Sequence, residues 1–381
     1  MTPSALQACR DVNQSSVLIV QRLLPPYRLA FFQHLAATAP FGVTFSYGQG
    51  QPDCALESIV APEGLNVTQL RNLSIGKRET LVYQMGLPSL IRSKRYNIII
   101  AEFNPRIISN IAAFFQAKRQ KLKFIWWGHG IRPRSSDTAI RIYRWLAQHA
   151  DAIILYTQAA ADQLTAHGVP KNKIFVAWNS IDIDEIDSLV QHLPMTRRNR
   201  VLFIGRLIPE KKPGLLIEAF ANASSRLSSD IVLTLVGDGP ERTNLERLVR
   251  QFNIDDRVEF VGSTYNQDQL APYFNTSWIS VSPGYIGLSA IHSMAFGVPM
   301  LVADKEPHSP EIAVVEDGKN AVFFRANDTK DMAQHLIRLS KQPDQLEQMS
   351  VASRKAVRST FGVKAMVDAF LQAIRYAHSI S

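Results

Sequence analysis

Two strand-to-helix loops in the second half of the 381-residue chain carry residue types suited to an anion. After the apolar run 201–204 comes Gly205, followed by Arg206 and Lys211 and then by a predicted helix that begins at Pro213. Glycine lets a ligand approach the backbone, and the N-terminus of a helix favours negative charge. Taken alone, the segment is equally typical of a solvated basic turn.

The second loop, 283–289, is rich in glycine and leads into an amphipathic helix. The N–H groups of Gly287, Leu288 and Ser289 would have no partner within that helix and could bind phosphate oxygens, although such turns are also common without any ligand. A third loop, 237–240, follows another strand. Three loops of this kind in one half of the chain suit the diphosphate of a nucleotide.

In the first half, each candidate residue comes after a predicted strand. Tyr27 and Arg28 begin a helix and could contact a substrate or a phosphate, or form a proline-led helix entry with a solvated arginine. Glu102 and Asn104 follow the next such strand. Glu102 is the best-placed carboxylate to assist a substrate hydroxyl, with a helix-cap or ion-pair role as the favoured alternative. His129 lies on a glycine-flanked loop, which favours a functional role over packing.

Short apolar runs alternate with amphipathic stretches along the chain, which is typical of βαβ units around parallel sheets. The predicted strands are 16–20, 42–47, 97–102, 123–128, 152–156, 174–178, 200–205, 231–237, 257–262, 278–282, 299–303 and 321–324. Ligands of such folds bind beyond the carboxyl ends of the strands. We therefore predict an α/β protein of two Rossmann-like, doubly wound domains with the candidate residues facing a cleft.

The domain boundary is predicted beside Asn179, where a turn-like segment coincides with a change in charge. We place the first domain at 1–178 and the second at 179–361, with a C-terminal helix at 362–381 that packs back on the first domain. Asp182 and Asp184, at the boundary, imitate an Asp-x-Asp metal pair. Their position favours helix capping, so no metal is expected.

The positive charge is concentrated in the first half. Residues 1–178 contain 20 Lys+Arg and 9 Asp+Glu, a balance of +11, whereas residues 179–381 contain 22 and 24, a balance of −2, and the two sum to +9. This asymmetry indicates an anionic partner, such as a membrane surface, a nucleic acid or a phosphorylated substrate. Because no nucleic-acid-binding motif accompanies the charge, we favour the membrane surface.

Apolar residues at helical spacing precede one of the basic clusters. Ile108, Ile111, Ala112 and Phe115 could contact an anionic leaflet next to the lysines and arginines of 118–123, or they could form a core stripe. We interpret this helix as packed into the core. The membrane prediction then depends on the net charge.

The composition, 46% hydrophobic and 20% charged, excludes disordered, collagen-like and coiled-coil proteins. Cys9 and Cys54 are too few for a disulfide framework or a cysteine-rich zinc module and fit a reducing compartment. The purest apolar run, 97–103, falls far short of the ~20 residues that a spanning helix needs. Residues 1–15 are polar, so no signal peptide is predicted and a cytoplasmic protein is expected.

Several spaced segments carry a resemblance to a known family. They are 205–211, 235–241, 258–262, 287–299 and 310–312, together with the linker 179–182 and the loop 128–130. In this order they resemble the retaining GT-B glycosyltransferases of glycosyltransferase family 4, most clearly in the donor-binding domain, from Arg200 to about Leu339.

The resemblance implies a role for each matching residue. Arg206 and Lys211 would hold the donor diphosphate and offset the charge of the departing nucleotide. The backbone around Val261 would face the base, and His129 would reach the sugar and the β-phosphate. The implied donor-binding residues are Gly205, Arg206, Lys211, Val261, Gly287, Leu288, Ser289 and His292.

The chain departs from the family pattern at two places. The two glutamates that the family carries with seven residues between them are replaced by Gly284 and His292, and a glycine pair is replaced by Pro307 and His308. His292 could contact the ribose as an imidazole or be an ordinary packed histidine. The intact Arg206–Lys211 pair favours a divergent enzyme over an inactive relative.

The resemblance thus predicts an enzyme that moves a hexosyl or deoxyhexosyl group from a UDP- or GDP-linked donor to a hydroxyl. The expected acceptor is a lipid-linked surface glycan, such as lipopolysaccharide O-antigen, capsule or exopolysaccharide, bound through Tyr27, Arg28 and Asn104. Retention is implied, and neither a cofactor nor a metal is expected. The protein would lie peripherally on the inner face of the cytoplasmic membrane, without nucleic acid. The alternatives are a sugar-nucleotide epimerase and a catalytically inactive GT-B glycan- or nucleotide-binding protein.

Overall fold

The computed structural model describes residues 16–49, 59–60, 62–75, 81–93, 95–131 and 135–380. The chain divides into two compact units: unit 1 comprises residues 1–179 and 363–381, and unit 2 comprises residues 180–362. These limits lie one residue from the predicted domain limits, and the C-terminal segment belongs to unit 1. Cys9 and Cys54 lie outside the described residues.

In unit 1 the described residues form an eight-stranded sheet. Its strands are β1 (Ser16–Val20), β2 (Gly42–Gly48), β3 (Val67–Ile75), β4 (Leu81–Met85), β5 (Ile98–Glu102), β6 (Lys123–Gly128), β7 (Ala152–Leu155) and β8 (Ile174–Val176). The order is β4-β3-β2-β1-β5-β6-β7-β8, with every neighbouring pair parallel apart from the antiparallel β3 and β4. The direction of winding reverses between β1 and β5, so the loops after these two strands diverge and leave a crevice at the carboxyl edge.

Unit 2 is built on a six-stranded sheet in which all neighbouring strands are parallel. Its strands are β9 (Arg200–Ile204), β10 (Val232–Val236), β11 (Val258–Gly262), β12 (Ser277–Ser282), β13 (Met300–Ala303) and β14 (Ala321–Phe324). The order is β11-β10-β9-β12-β13-β14. Here the winding reverses between β9 and β12, which are the strands that lead into the two candidate anion-binding loops.

Helices cover the faces of both sheets. They are α1 (Leu29–Thr38), α2 (Leu87–Arg92), α3 (Ile108–Arg119), α4 (Asp137–His149), α5 (Gln158–Ala166), α6 (Ile183–Leu189), α7 (Pro213–Ser224), α8 (Arg242–Gln251), α9 (Gln267–Asn275), α10 (Leu288–Ala295), α11 (Thr329–Leu339), α12 (Pro343–Thr360) and α13 (Val363–Ser379). Among these helices of the described ranges, none is both long and apolar enough to cross a membrane.

The sequence sets several helix starts through side-chain caps. The Asp182 carboxylate accepts the N–H of Glu185 at 3.1 Å at the start of α6, which is the capping role that was predicted for it. Ser136 caps α4 in the same way, through the N–H of Ala139. These caps satisfy N–H groups that the first turn of a helix cannot pair internally.

The C-terminal helix α13 is part of the core of unit 1. The Phe370 ring lies 4.7 Å from that of Phe31 on α1 and 4.8 Å from that of Trp127 on β6. All three side chains are fully buried. Burial of this aromatic cluster explains why the last helix joins the first unit although unit 2 precedes it in the chain.

The prediction of an α/β protein with two parallel-sheet domains is confirmed. The outer strands β3 and β4 were not predicted; their residues alternate irregularly and include Arg71, Asn72 and Gln84. Strands near the edge of a sheet are partly solvated, so they lack the continuous apolar run by which central parallel strands are recognised.

Helix α3 is packed into the core as interpreted, but mostly through a different face from the predicted 108–115 stripe. Ile108 and Phe115 are 42% and 49% exposed, whereas α3 buries Ala113, Phe114 and Ala117. The inward face also takes up polar Asn110, whose amide donates to the carbonyl oxygen of Glu102 at 3.2 Å. The inward face of α3 therefore includes a buried asparagine and is not the apolar stripe that was predicted.

Candidate functional site

Gly205 and Gly237 allow two strand-end loops of unit 2 to lie backbone against backbone. Their φ angles are 146° and 140°, and a Cβ on Gly237 would lie 2.0 Å from the carbonyl oxygen of Gly205. The N–H of Gly205 donates to the carbonyl of Val236, and that of Leu207 to the carbonyl of Asp238, both at 2.9 Å. These bonds hold the loop that carries Arg206 and Lys211 against the end of the sheet.

Lys211 ends a short 3-10 turn, Pro209–Lys211, above this platform. Its Nζ donates to the carbonyl oxygen of Tyr285 at 3.2 Å and lies 5.5 Å from the centre of the Tyr285 ring. Burial lowers the pKa of Lys211 to about 8; the charge of Arg206 contributes to the lowering and the carboxylate of Glu311 opposes it. Two cations that repel each other mark a place where an anion would be stabilised.

The loop 283–287 packs directly on this turn. The N–H of Tyr285 donates to the carbonyl oxygen of Glu210 at 3.0 Å, and a Cβ on Gly284 would lie 2.4 Å from that same oxygen. The position at which the family resemblance expects the first glutamate therefore has no room for a side chain. This departure from the pattern is steric as well as chemical.

Helix α10 follows this loop, with Gly287 as its N-cap. The first-turn N–H groups, beginning with those of Leu288 and Ser289, have no partner within the helix and form its positive end. Val261 is the penultimate residue of β11, at the same carboxyl edge of the sheet. The predicted donor-binding backbone positions thus gather at one edge of unit 2.

His308 and Ser309 brace the backbone before α10. The N–H of Ile286 donates to Nδ1 of His308 at 3.3 Å, and Nε2 of His308 donates to the carbonyl of Ala303 at 2.9 Å, which defines one tautomer. The Ser309 hydroxyl bridges the carbonyl of Ile286, at 2.7 Å, and the buried carboxylate of Glu311. Where the family carries a glycine pair, this chain uses a histidine to position the loop.

His292 is packed among aromatic rings on the inner side of α10. Its ring lies 4.6 Å from that of Phe274 and 5.8 Å from that of Phe296, and Nε2 donates to the side-chain oxygen of Gln267 at 2.7 Å. Burial lowers the pKa of His292 to about 4, so the ring is neutral near pH 7. This arrangement favours the packed-histidine alternative over a contact with ribose.

In unit 1 a cavity of ≈ 380 Å³ lies at the carboxyl edge of the sheet, where β1 and β5 diverge. It brings together all five residues predicted in this half: Tyr27, Arg28, Glu102, Asn104 and His129. These residues belong to the chain segments at the ends of β1, β5 and β6. The winding reversal between β1 and β5 places these segments around one crevice at the carboxyl edge of the sheet.

Arg28 forms part of the cavity wall, and its side chain is buried. Its Nη2 donates to the hydroxyl of Tyr156 at 2.5 Å and to the amide oxygen of Asn179 at 3.0 Å, and the guanidinium lies 4.5 Å from the Trp127 ring. Burial acts to lower the pKa of Arg28, but Tyr156, Tyr27 and Glu102 outweigh it, so the pKa stays above its ordinary value. The alternative of a solvated arginine at this position is wrong.

The other cavity residues have defined partners. One carboxylate oxygen of Glu102 accepts the N–H of Arg22 at 2.6 Å, which ties the loop after β1 to the end of β5. The side-chain oxygen of Asn104 accepts the N–H of Arg106 at 3.2 Å. The exposed ring of His129 lies 4.6 Å from the ring of Tyr156. Glu102 therefore combines a structural bond with a place in the cavity wall.

Tyr156 and Tyr285 were not predicted as site residues. Tyr156 follows β7 at the carboxyl edge of the sheet, so the rule that selected Glu102 would also have selected it. Burial raises the pKa of the Tyr156 hydroxyl, which therefore stays protonated. Tyr285 lies inside the predicted loop 283–289. Its contact with Lys211 joins residues 74 positions apart in the sequence, so it depends on the tertiary structure.

Comparison with solved structures identifies the fold. HepE from Anabaena, solved in complex with UDP, superposes with a TM-score of 0.69 at 16% identity, covering 94% of this chain and 98% of that chain. Two doubly wound units with glycine-rich, cationic strand-end loops in the second are therefore those of the GT-B fold.

Two family models cover most of the sequence. Residues 185–356 match the model described as glycosyl transferases group 1, and residues 51–185 match that of glycosyltransferase family 4. The chain belongs to the GT-B glycosyltransferases of the family 4 type, and it is a glycosyltransferase.

Curated relatives agree with this assignment. The N-acetyl-alpha-D-glucosaminyl L-malate synthase of Bacillus anthracis is 24% identical over 301 residues, which cover 76% of this chain and 78% of the relative. A D-inositol 3-phosphate glycosyltransferase of Streptomyces bingchenggensis is 28% identical over 59% of this chain. The latter match spans about half of the relative, 54% of its length.

Proposed function

We propose that the protein transfers a sugar from a nucleotide diphosphate donor bound at unit 2 to a hydroxyl of an acceptor bound in the cavity of unit 1. The observation that carries this proposal is the pairing of Arg206 with the partly buried Lys211 beside the loop that begins α10. A departing nucleoside diphosphate gains negative charge as the glycosidic bond breaks. Fixed cations and backbone N–H groups stabilise that charge more than they stabilise the bound donor, which lowers the barrier.

The donor is proposed to be a UDP- or GDP-linked hexose or deoxyhexose, used with retention and without a cofactor or a metal ion. Gly205, Arg206, Lys211 and the N–H groups of Leu288 and Ser289 would hold the diphosphate. The UDP complex of HepE supports a uridine nucleotide as the first to test. Retention follows from the family resemblance.

Within the acceptor cavity, His129 and Glu102 are proposed as catalytic residues. His129, exposed at the end of β6, would contact the transferred sugar, and Glu102 would accept a hydrogen bond from the acceptor hydroxyl. Tyr27, Arg28 and Asn104 would position the acceptor.

A lipid-linked surface glycan on the inner face of the cytoplasmic membrane is proposed as the acceptor class. The support comes from α3 and α4, where exposed Phe115 and Trp145 lie 5.8 Å apart, ring to ring, and are 49% and 43% exposed. Arg141 and Arg144 on α4 are exposed beside them. Aromatic side chains with neighbouring arginines are typical of a helix face that rests on an anionic leaflet.

The decisive experiment measures nucleotide release. The purified chain is titrated with UDP and GDP by calorimetry and then incubated with a panel of nucleotide sugars, with and without glycan acceptors. The proposal expects binding of one nucleotide and release that depends on an acceptor. Binding of neither nucleotide would overturn it, and an NMR assignment of the product anomer tests retention.

One observation favours a second candidate. Because Gly284 leaves no room for the first family glutamate and His292 replaces the second, the chain could be an epimerase or an inactive nucleotide-binding relative. An epimerase would convert a nucleotide sugar with no acceptor present. An inactive relative would bind the nucleotide and release none from any donor.

A further inference from the structure

The cavity of unit 1 encloses a cation whose hydrogen-bonding partners are neutral. The buried guanidinium of Arg28 donates to the hydroxyl of Tyr156 and to the amide oxygen of Asn179, and its Nε has no hydrogen-bond partner among the described residues. Glu102 is the weakest of the groups that act on its pKa. A buried charge without a hydrogen-bonded counter-charge among the described residues is costly, so its retention in a cavity wall indicates a ligand of opposite charge.

A second buried donor belongs to the same wall. Trp127 lines the cavity and is fully buried, and its ring lies 4.5 Å from the guanidinium of Arg28. Within the part of the chain that the structure describes, its indole Nε1–H has no hydrogen-bond partner. Buried N–H groups are rarely left unpaired in folded proteins. Together with Nε of Arg28, the indole N–H is a second buried donor in this wall that lacks a partner among the described residues.

The charged side chains that line the cavity are mostly cationic. Among the described residues that line it, Arg22, Arg28 and Arg106 stand against a single carboxylate, that of Glu102. Glu102 already accepts the N–H of Arg22. The start of α1, immediately after Arg28, adds the positive end of a ten-residue helix.

We propose that this cavity recognises an oxyanion, a carboxylate or a phosphate ester, carried by the acceptor, and that Arg28 is the residue that selects for it. The inference rests on the proposed function, in which the cavity holds the acceptor. A planar guanidinium presents parallel N–H donors that match the two oxygens of such a group. The volume of ≈ 380 Å³ suits a small acidic polyol or the head group of a lipid.

The test compares charged and uncharged probes by calorimetry on the full chain. Glycerol 3-phosphate and malate are compared with glycerol and butane-1,2,4-triol, and dihexanoyl phosphatidic acid represents a lipid-borne phosphate. The anionic probes are expected to bind at least about tenfold more tightly than their neutral counterparts. Tighter binding of the short lipid would identify a lipid-borne oxyanion, and tighter binding of the free acids would identify a small soluble acceptor. Equal binding of charged and neutral probes would overturn the proposal.

Arg28→Gln is expected to lose at least about tenfold in affinity for the anionic probes while UDP affinity at unit 2 is unchanged. The matched control is Lys173→Gln, which removes another buried cation of unit 1 whose Nζ donates to the carbonyls of Gln148 and Ala150 instead of lining the cavity. Retained affinity in Arg28→Gln would contradict the assignment.

A second measurement covers the case in which Arg28→Gln does not fold. Arg28→Lys keeps the charge but not the planar fork, and it should raise KM for an anionic acceptor about tenfold with kcat little changed. In the wild-type chain, inorganic phosphate should compete with glycerol 3-phosphate, and a failure to compete would count against an oxyanion site. If no nucleotide sugar is turned over but Arg28 still governs anion binding, the proposed function fails and the oxyanion site stands.

Discussion

Lys211 in unit 2 and Arg28 in unit 1 are both enclosed at the carboxyl edge of a parallel sheet, yet burial changes their ionisation differently. The pKa of Lys211 falls to about 8 through burial and the charge of Arg206, whereas Arg28 keeps a pKa above its ordinary value. A lysine amine loses its proton readily when desolvated, but a delocalised guanidinium does not. The charge of Lys211 in unit 2 therefore depends on pH and ligand, while that of Arg28 in unit 1 is permanent.

The two sites also differ in what holds them in shape. In unit 2 the loops are fixed by backbone hydrogen bonds and by glycines without room for a Cβ, such as Gly237 and Gly284. In unit 1 the cavity is held by side chains, with Arg28 bonded to Tyr156 and Glu102 bonded to the backbone of Arg22. Glycine substitutions in unit 2 should therefore act through loop geometry, whereas substitution of Lys211 or Arg28 should act through charge.

The largest effect is expected from Lys211→Ala. Removal of one charge that stabilises the leaving group should lower kcat/KM about 100- to 1,000-fold, by analogy with the loss of one oxyanion-hole donor. The melting temperature should change little, since the ammonium has a single backbone partner. Lys319→Ala, an exposed lysine of the same unit that pairs with Glu316, is the control. Wild-type rates in Lys211→Ala would remove the diphosphate assignment.

Gly284→Ala tests whether loop geometry controls the unit 2 site. Its Cβ would lie 2.4 Å from the carbonyl oxygen of Glu210, so the turn that ends in Lys211 must move. A displacement of about 1 Å costs about 100-fold in rate, and turnover should fall by that order. Gly214→Ala on α7, whose Cβ would make only ordinary contacts, should be neutral. Equal activity of the two variants would show that the turn is not held as described.

The pH dependence of nucleotide binding tests the ionisation of Lys211. Below about pH 8 the ammonium is charged and ready to bind a diphosphate; above it, the free protein must take up a proton on binding. UDP affinity should therefore fall about tenfold between pH 7 and pH 9 in the wild type. In Lys211→Ala the affinity should be nearly flat over that range. Binding at unit 1 should show no such change, since Arg28 does not titrate there.

The smallest effect is expected at the basic face of α4. Each basic residue near an anionic membrane surface contributes about 1 kcal/mol, so Arg141→Gln should weaken partitioning to anionic vesicles about fivefold. Arg226→Gln, an exposed arginine of unit 2, is the matched control. Vesicle sedimentation measures both variants. An equal loss in both would mean that net charge, and not this face, is responsible.

The architecture and the unit 2 loops were predictable because they depend on local chemistry. Apolar runs of strand length define parallel strands, and glycine with nearby cations after a strand points to an anion site. The outer strands β3 and β4 were not predictable in this way, because a partly solvated strand lacks such a run. The outward-facing stripe of α3 was misjudged because helical spacing reports a face of the helix without reporting what that face contacts.

The sequence by itself determined the alternation of strands and helices, the loops of Gly205 and Gly287, and the placement of polar residues after strands. Only the tertiary structure decided which of those residues meet. Arg28 and Tyr156 are 128 positions apart, and their contact arises because strands distant in the chain become neighbours at a winding reversal. The same holds for the steric exclusion at Gly284 and the packing of His292. The excess positive charge of the first half could be counted from the sequence, but the burial of Arg28 in a cavity wall could not, since burial depends on packing against distant segments.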